Sequence, residues 1–164
     1  FSLELALRNP HNVYLAIDIK SDRLYSSAKQ ALEEGVGNIR FLRMGLDEIE
    51  HVIPASSVDE LWVTFPDPFP KKKNQRKRLT YKTFLQQYRK IINDTGILHF
   101  KTDARDLFLW SLEQLVADQW GFNELTFDLH ESDLPDEYKI KTQYEERFHN
   151  EGIPINYLTA SSSL

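Results

Sequence analysis

A chain of 164 residues, 41% of them hydrophobic, suits one domain with a single core, and it contains no apolar run long enough to span a membrane. Cysteine is absent, which excludes disulfides, thiolate metal sites and cysteine nucleophiles and fits a reducing cytoplasm, the expected location. The net charge of -5 argues against general coating of nucleic acid and makes any local basic cluster informative.

Short β-rich runs alternate with stretches of helical period, the pattern of a parallel sheet covered by helices. Residues 1–8 read as the end of a helix. Residues 13–18 read as a buried strand that carries a carboxylate, Asp18, at its C-terminal end. Ser21 or Asp22 is expected to cap a helix running to about residue 34, which Gly35 stops. Residues 39–43 and 60–65 are the second and third expected strands. Pro66, Pro68 and Pro70 then fix φ and bias the residues before them toward extended geometry, so the chain must leave the sheet as a stiff loop. A helix from Thr80 to about Ile92, a strand at 97–102 after Gly96, and a long helix over 104–120 follow. Residues 122–129 and 153–158 are the last strands, with a short helix at 142–149 between them. The expected fold is therefore α/β, a doubly wound, mostly parallel sheet in one domain spanning residues 1–164. Sites in such sheets gather beyond the C-terminal strand ends, where Asp18, Met44, Asp67 and Asp103 all fall.

The densest chemistry lies at residues 65–80. Asp67 sits between prolines, beside Phe69, and six of the eight residues from 71 to 78 are basic. Such runs are commonly solvated surface, yet one placed directly after a strand-end carboxylate in an acidic chain suits the docking of a polyanion. Lys72, Lys73, Arg76, Lys77 and Arg78 are accordingly read as contacts to an RNA backbone, Arg76 and Arg78 being capable of bidentate bonds. Asp18 could accept bonds from both hydroxyls of a ribose or serve as a loop or capping residue. Asp103 is equally a helix N-cap, and Thr142 with Glu145 has the spacing of a capping box. The five histidines, at 11, 51, 99, 130 and 149, lack metal-ligand spacing and are read as structural or surface residues.

The run Phe-Pro-Asp-Pro-Phe-Pro-Lys-Lys-Lys at 65–73, Lys77-Arg78-Leu79, Phe100-Lys101-Thr102-Asp103, and Thr142-Gln143-Tyr144-Glu145 followed by Phe148 and Gly152 resemble the bacterial tRNA (guanine-N7)-methyltransferase family in order and spacing. The resemblance covers nearly the whole chain. It implies the methyltransferase version of the doubly wound fold, S-adenosylmethionine as cofactor, tRNA as partner, and methyl transfer to N7 of a guanine in the variable loop. It also implies a catalytic role for Asp67, cofactor contacts at Asp18, Met44, Gly45 and Asp67, and substrate contacts at Lys71, Asp103, Thr142, Gln143, Tyr144 and Glu145. No metal is implied, and monomer and homodimer both stay open.

Guanine N7 already carries a lone pair, so no base is needed before attack on a sulfonium methyl. Asp67 can serve by accepting guanine N–H groups or by stabilising the cationic product, and the residues leave both modes open.

Departures from the family pattern are specific. Asn74 stands where a histidine is usual, Lys77 replaces an arginine and loses its fork, and Phe69 replaces a tryptophan. Met44 takes the place of the acidic residue that meets the adenine amino group. The family's glycine-rich loop and its strand are expected upstream of Phe1, so the sheet should either be interrupted between the strands at 13–18 and 60–65 or pair them directly. Isothermal titration of this chain with S-adenosylmethionine is expected to give weak or undetectable binding; clean submicromolar binding would contradict that. Two rival readings are a catalytically silent RNA-binding module and an amino-group methyltransferase, whose acidic, proline and aromatic loop Asp67-Pro68-Phe69 distantly resembles.

Overall fold

The computed structural model describes residues 1–162, with the side chain of Gln143 outside the described residues. Two compact units are present, one made of Phe1–Gly45 with Pro135–Gln143 and the other of Leu46–Leu134 with Tyr144–Leu164. Their strands form two sheets, so of the two arrangements expected the interrupted one is found.

In the first unit, α1 (Ser2–Arg8) and α2 (Ser21–Glu33) accompany a parallel pair, β1 (Tyr14–Asp18) and β2 (Ile39–Arg43). Leu3, Ala6, Ala31 and Ile39 form its buried centre, with Tyr14, Ala16, Val36 and Phe41 packed around them. Gly35 ends α2 at φ 67, and the Val36 N–H returns to the Ala31 carbonyl at 2.8 Å, which closes the helix end as the glycine predicted. The start of α2 departs from expectation. Lys20 occupies the N-cap position with no side-chain cap, and Ser21 and Asp22 lie inside the first turn. Asp18 does the local capping instead, its Oδ1 accepting the Lys20 N–H at 2.8 Å.

The second unit holds α3 (Ile49–Val52), β3 (Val58–Thr64), a short 3-10 helix (Lys72–Lys77), α4 (Lys82–Ile91), β4 (Ile92–Thr102), α5 (Arg105–Ala117), β5 (Gly121–Thr126), α6 (Gln143–Asn150) and β6 (Asn156–Ser161). Gln143, the first residue of α6, falls by sequence with the first unit. The sheet order is β3-β4-β6-β5, with β3 and β4 parallel and β6 antiparallel to both neighbours. Apolar residues at helical spacing on α4, namely Phe84, Leu85, Tyr88 and Ile91, are all buried. Each such side chain contributes roughly 1.5–3 kcal/mol relative to exposure. Leu98 and Phe100 of β4, Leu107, Phe108 and Leu115 of α5, and Tyr157 and Leu158 of β6 complete the core.

β4 begins five residues before the expected strand, but its pairing with β3 passes from Ile92, opposite Val58, to Ile97, opposite Glu60, so residues 93–96 bulge out of the ladder and regular pairing starts at 97, where the strand was expected. A Cβ at Gly96 would lie 2.8 Å from the Val58 carbonyl oxygen and 2.4 Å from Ile92 Cγ2, so only glycine lets β4 approach β3 there. The last strand is also displaced, spanning Asn156–Ser161 where 153–158 was expected.

His99 of β4 is buried, stacked on Trp62 of β3 at 3.8 Å, with Nδ1 2.8 Å from the Tyr157 hydroxyl and Nε2 3.6 Å from Glu60. Burial, helped by the charge of Lys101, pulls its pKa down to about 3. The unfolded chain therefore binds a proton near pH 6.5 that the folded chain refuses until about pH 3, and stability is lost as pH falls through that window. Urea unfolding at pH 7, 6 and 5 is expected to show this loss, at most about 1.4 kcal/mol per pH unit, and His99→Gln is expected to show a shallower one. Equal slopes for the two proteins would contradict the assignment.

Candidate active site

β3 ends at Thr64, but the Phe65 N–H still donates to the Lys101 carbonyl of β4 at 2.9 Å. The chain then turns out through residues 65–70. Phe65 and Phe69 adopt φ 49 and 42, so the extended geometry expected before Pro66 and Pro70 is not found there. Left-handed backbone at a residue with a Cβ costs of order 1–3 kcal/mol and persists only where surrounding contacts hold it.

Arg78 supplies much of that hold. It is only 6% exposed, donates through Nε to the Pro68 carbonyl at 2.9 Å and through Nη2 to the Phe69 carbonyl at 3.1 Å, and places its guanidinium 4.4 Å from the Trp110 ring centroid. The expectation that Arg78 meets an RNA phosphate is thereby corrected: this cation faces inward and fastens the turn. Between turn and fastener, Asp67 is exposed, and its carboxylate has no hydrogen-bond or ion-pair partner among the described residues.

The other five cations behave differently. Lys71, Lys72, Lys73, Arg76 and Lys77 are exposed and form no ion pair among the described residues. They lie on or beside the 3-10 helix, whose ends are closed by Asn74 N–H to the Lys71 carbonyl at 2.8 Å and Arg78 N–H to the Gln75 carbonyl at 3.1 Å. The run read as part of a loop is thus a short helix that presents its cations outward. Alongside is an open depression of about 310 Å³ lined by Pro68, Pro70, Arg78, Ala104, Arg105, Asp106 and Leu107.

β4 leaves the sheet beside β3, with Thr64 and Lys101 in register, so the chain segments bearing Asp67 and Asp103 emerge from neighbouring strand ends. Asp103 is half-buried, and the N-cap position of α5 belongs to Ala104, so the capping reading of Asp103 fails. The Ala104 N–H turns back to Thr102 Oγ1 at 3.1 Å, and the Thr102 carbonyl accepts from Asn156 Nδ2 at 3.0 Å. Asp103 itself has no side-chain partner among the described residues.

Glu145 of α6 departs from expectation. It has no exposed surface, and both its oxygens lie 3.0 Å from Lys101 Nζ, which is equally buried. His130 Nε2 sits 3.5 Å from the same carboxylate. Burial draws the Lys101 ammonium below its ordinary value, and the adjacent Glu145 opposes that shift. Glu145 is therefore a buried partner of Lys101, where a capping box or a contact to substrate is the expectation from sequence. The pairing of Lys101 with Glu145 and His130 is not read from the sequence; a lysine inside the strand run Ile-Leu-His-Phe-Lys-Thr is the available signal. Tyr144 is exposed, Thr142 half-buried, and the side chain of Gln143 lies outside the described residues.

In the first unit, the Met44 N–H donates to the Asp18 carbonyl at 3.2 Å, tying together the chain at the ends of β1 and β2. Asp18 Oδ2 lies 3.6 Å from Arg23 Nη1, and the Asp18 side chain keeps 28% exposure. Asp18, Met44 and Gly45 thus share one end of a parallel pair.

The arrangement of helices and parallel strands matches solved methyltransferases. A SAM dependent methyltransferase from Aquifex aeolicus superposes with a TM-score of 0.62 at 12% identity, over 96% of this chain and 73% of that one. At that identity the likeness shows the fold, which is that of S-adenosylmethionine-dependent methyltransferases. A family model described as "Putative methyltransferase" matches residues 1–158. A tRNA (guanine-N(7)-)-methyltransferase of Lachnoclostridium phytofermentans is 39% identical, covering 98% of this chain and 74% of that protein. One from Christiangramia forsetii is 37% identical over 96% and 71%. The chain belongs to the tRNA (guanine-N7)-methyltransferase family.

Proposed function

We propose that this protein transfers a methyl group from S-adenosylmethionine to N7 of a guanine in the variable loop of tRNA, with Asp67 as the group that meets the target base. The observation that carries the reading is the Asp67 turn: an exposed carboxylate, unpartnered among the described residues, on a strained loop fastened from behind by Arg78 and followed by five exposed cations. A carboxylate held this way needs no reorganisation to accept guanine N–H groups or to face the positive charge that grows on the purine. Asp103, whose side chain has no partner among the described residues, stands at the neighbouring strand end as a second acceptor for the same nucleotide. Lys71 contacts the substrate, and Lys72, Lys73, Arg76 and Lys77 bind the phosphates that position it.

Asp18, with one oxygen taken by the Lys20 N–H and acceptor capacity left on a partly exposed carboxylate, fits the ribose of a nucleoside cofactor. Met44 and Gly45, at the adjoining strand end, fit the adenine by packing and by backbone contact. S-adenosylmethionine, when bound, supplies an electrophilic methyl on a positively charged sulfur. The protein's own task is to orient the guanine lone pair, offset charge and hold the RNA. No helix among the described residues is long and apolar enough to cross a membrane.

Incubation of the full-length protein with unmodified tRNA and labelled cofactor, followed by nucleoside separation, tests this reading. Label in 7-methylguanosine is expected. Label on an exocyclic amine or on protein would favour the amino-group alternative, and tRNA binding without any label would favour the silent module.

A further inference from the structure

The Lys101–Glu145 pair poses a question of its own. Taking an ammonium and a carboxylate fully out of water costs several kcal/mol per ion in general, and an apolar pair of similar volume commonly gives equal or better stability. Both residues are nonetheless entirely buried, with two contacts of 3.0 Å between them. Neither has surface with which to touch a substrate.

Lys101, however, meets Phe65. The Lys101 carbonyl accepts the Phe65 N–H at 2.9 Å, and its Nζ lies 5.9 Å from the Phe65 ring centroid. The Phe65 ring stacks on Phe148 at 5.9 Å, and Phe148 stands three residues after Glu145, on the same face of α6. Backbone, ammonium and helix thus converge on one residue, which is in left-handed geometry two positions before Asp67. A shift of the ammonium or of α6 reaches the Asp67 backbone through Phe65.

We propose that Lys101 is a positioning residue for the Asp67 carboxylate, with Glu145 fixing its ammonium and Phe65 relaying its place. The proposal rests on the reading of Asp67 as the group that meets the guanine. Arg78 fastens the far side of the turn, at Pro68 and Phe69; Lys101 fixes the near side, at Phe65.

The test compares Lys101→Met, Glu145→Gln, the double variant Lys101→Met/Glu145→Leu, and Asp67→Ala, each by steady-state methylation of tRNA and by thermal unfolding. Both single variants are expected to lower kcat about 10–100-fold with KM for tRNA within about twofold, the split that a lost positioning contact gives. The double variant is expected to unfold at or above the temperature of either single variant yet keep the low kcat. A double variant with wild-type kcat would overturn the proposal, since the pair would then serve stability alone. Glu145→Gln with raised KM and unchanged kcat would also overturn it, by making Glu145 a substrate contact. Asp67→Ala separates the two claims: if it retains wild-type kcat, the reading of Asp67 fails and the relay with it, whereas if it loses kcat while the double variant does not, the relay alone fails.

Discussion

Asp67→Ala is expected to lower methyl transfer by about 10²–10³-fold while the affinity for tRNA at fixed salt changes by less than about twofold, the scale found when one preorganised electrostatic contact is removed. The carboxylate is exposed and unpartnered among the described residues, so its removal breaks no contact that the fold uses. Melting temperature should therefore stay within a degree or two of the parent. RNA affinity should persist because the exposed cations at 71–77 carry the phosphate contacts. Asp67→Asn is the sharper variant: it keeps shape and one acceptor oxygen but loses the charge, so a loss close to that of alanine would point to charge stabilisation and a milder one to hydrogen bonding. Single-turnover methylation with filter binding at the same salt reads both quantities. Full activity of Asp67→Ala would remove this residue from the chemistry.

Arg78→Ala is expected to do the reverse of what a phosphate-binding arginine would do. Its guanidinium makes two hydrogen bonds to loop carbonyls and lies over Trp110. Bonds to charged groups contribute about 1.5–3 kcal/mol each, and a domain of this size shifts by roughly 2–4 °C per kcal/mol. Melting temperature should fall by about 6–24 °C, and methyl transfer by about 10–100-fold as the strained turn relaxes. The dependence of tRNA affinity on salt should not change. Lys72→Ala and Lys73→Ala should each lower the slope of log affinity against log salt by about 0.7–0.9 and leave the melting temperature in place. An Arg78→Ala protein that melts like the parent and loses about one unit of salt slope would restore the phosphate reading.

Much of the architecture is legible along the chain because local periodicity and packing agree. β2 spans the five residues its β-branched and apolar run suggests, and the buried positions of α4 follow its helical spacing. The strand ends that carry Asp18, Asp67 and Asp103 were read close to where they lie. The misreadings have local causes. β4 is assigned from Ile92 only because that residue still pairs with Val58; Asn93-Asp94-Thr95-Gly96 looks like a turn and does bulge from the ladder, the Thr95 N–H returning to Asn93 Oδ1 at 3.1 Å, before regular pairing resumes at Ile97. α3 has four residues, too few for any period to show.

At the site, six cations crowded into eight positions look alike in one dimension, and only the packing around Trp110 distinguishes Arg78 from the rest. Phe65 and Phe69 carry prolines that favour extended backbone, a local preference that tertiary fastening overrides. Lys101 and Glu145 are separated by 44 positions, so their pairing has no local signal.

The central claim, that the chemistry occurs at one ring nitrogen of one guanine, is tested most directly by mapping the methyl group on tRNA. Guanine methylated at N7 is weakened at its glycosidic bond, so borohydride reduction and aniline treatment cut the chain there. After incubation with the full-length protein and S-adenosylmethionine, a single cut in the variable loop is predicted, absent without cofactor and strongly reduced with Asp67→Ala. Methyl incorporation with no cut, or cuts confined to other parts of the tRNA, would contradict the account.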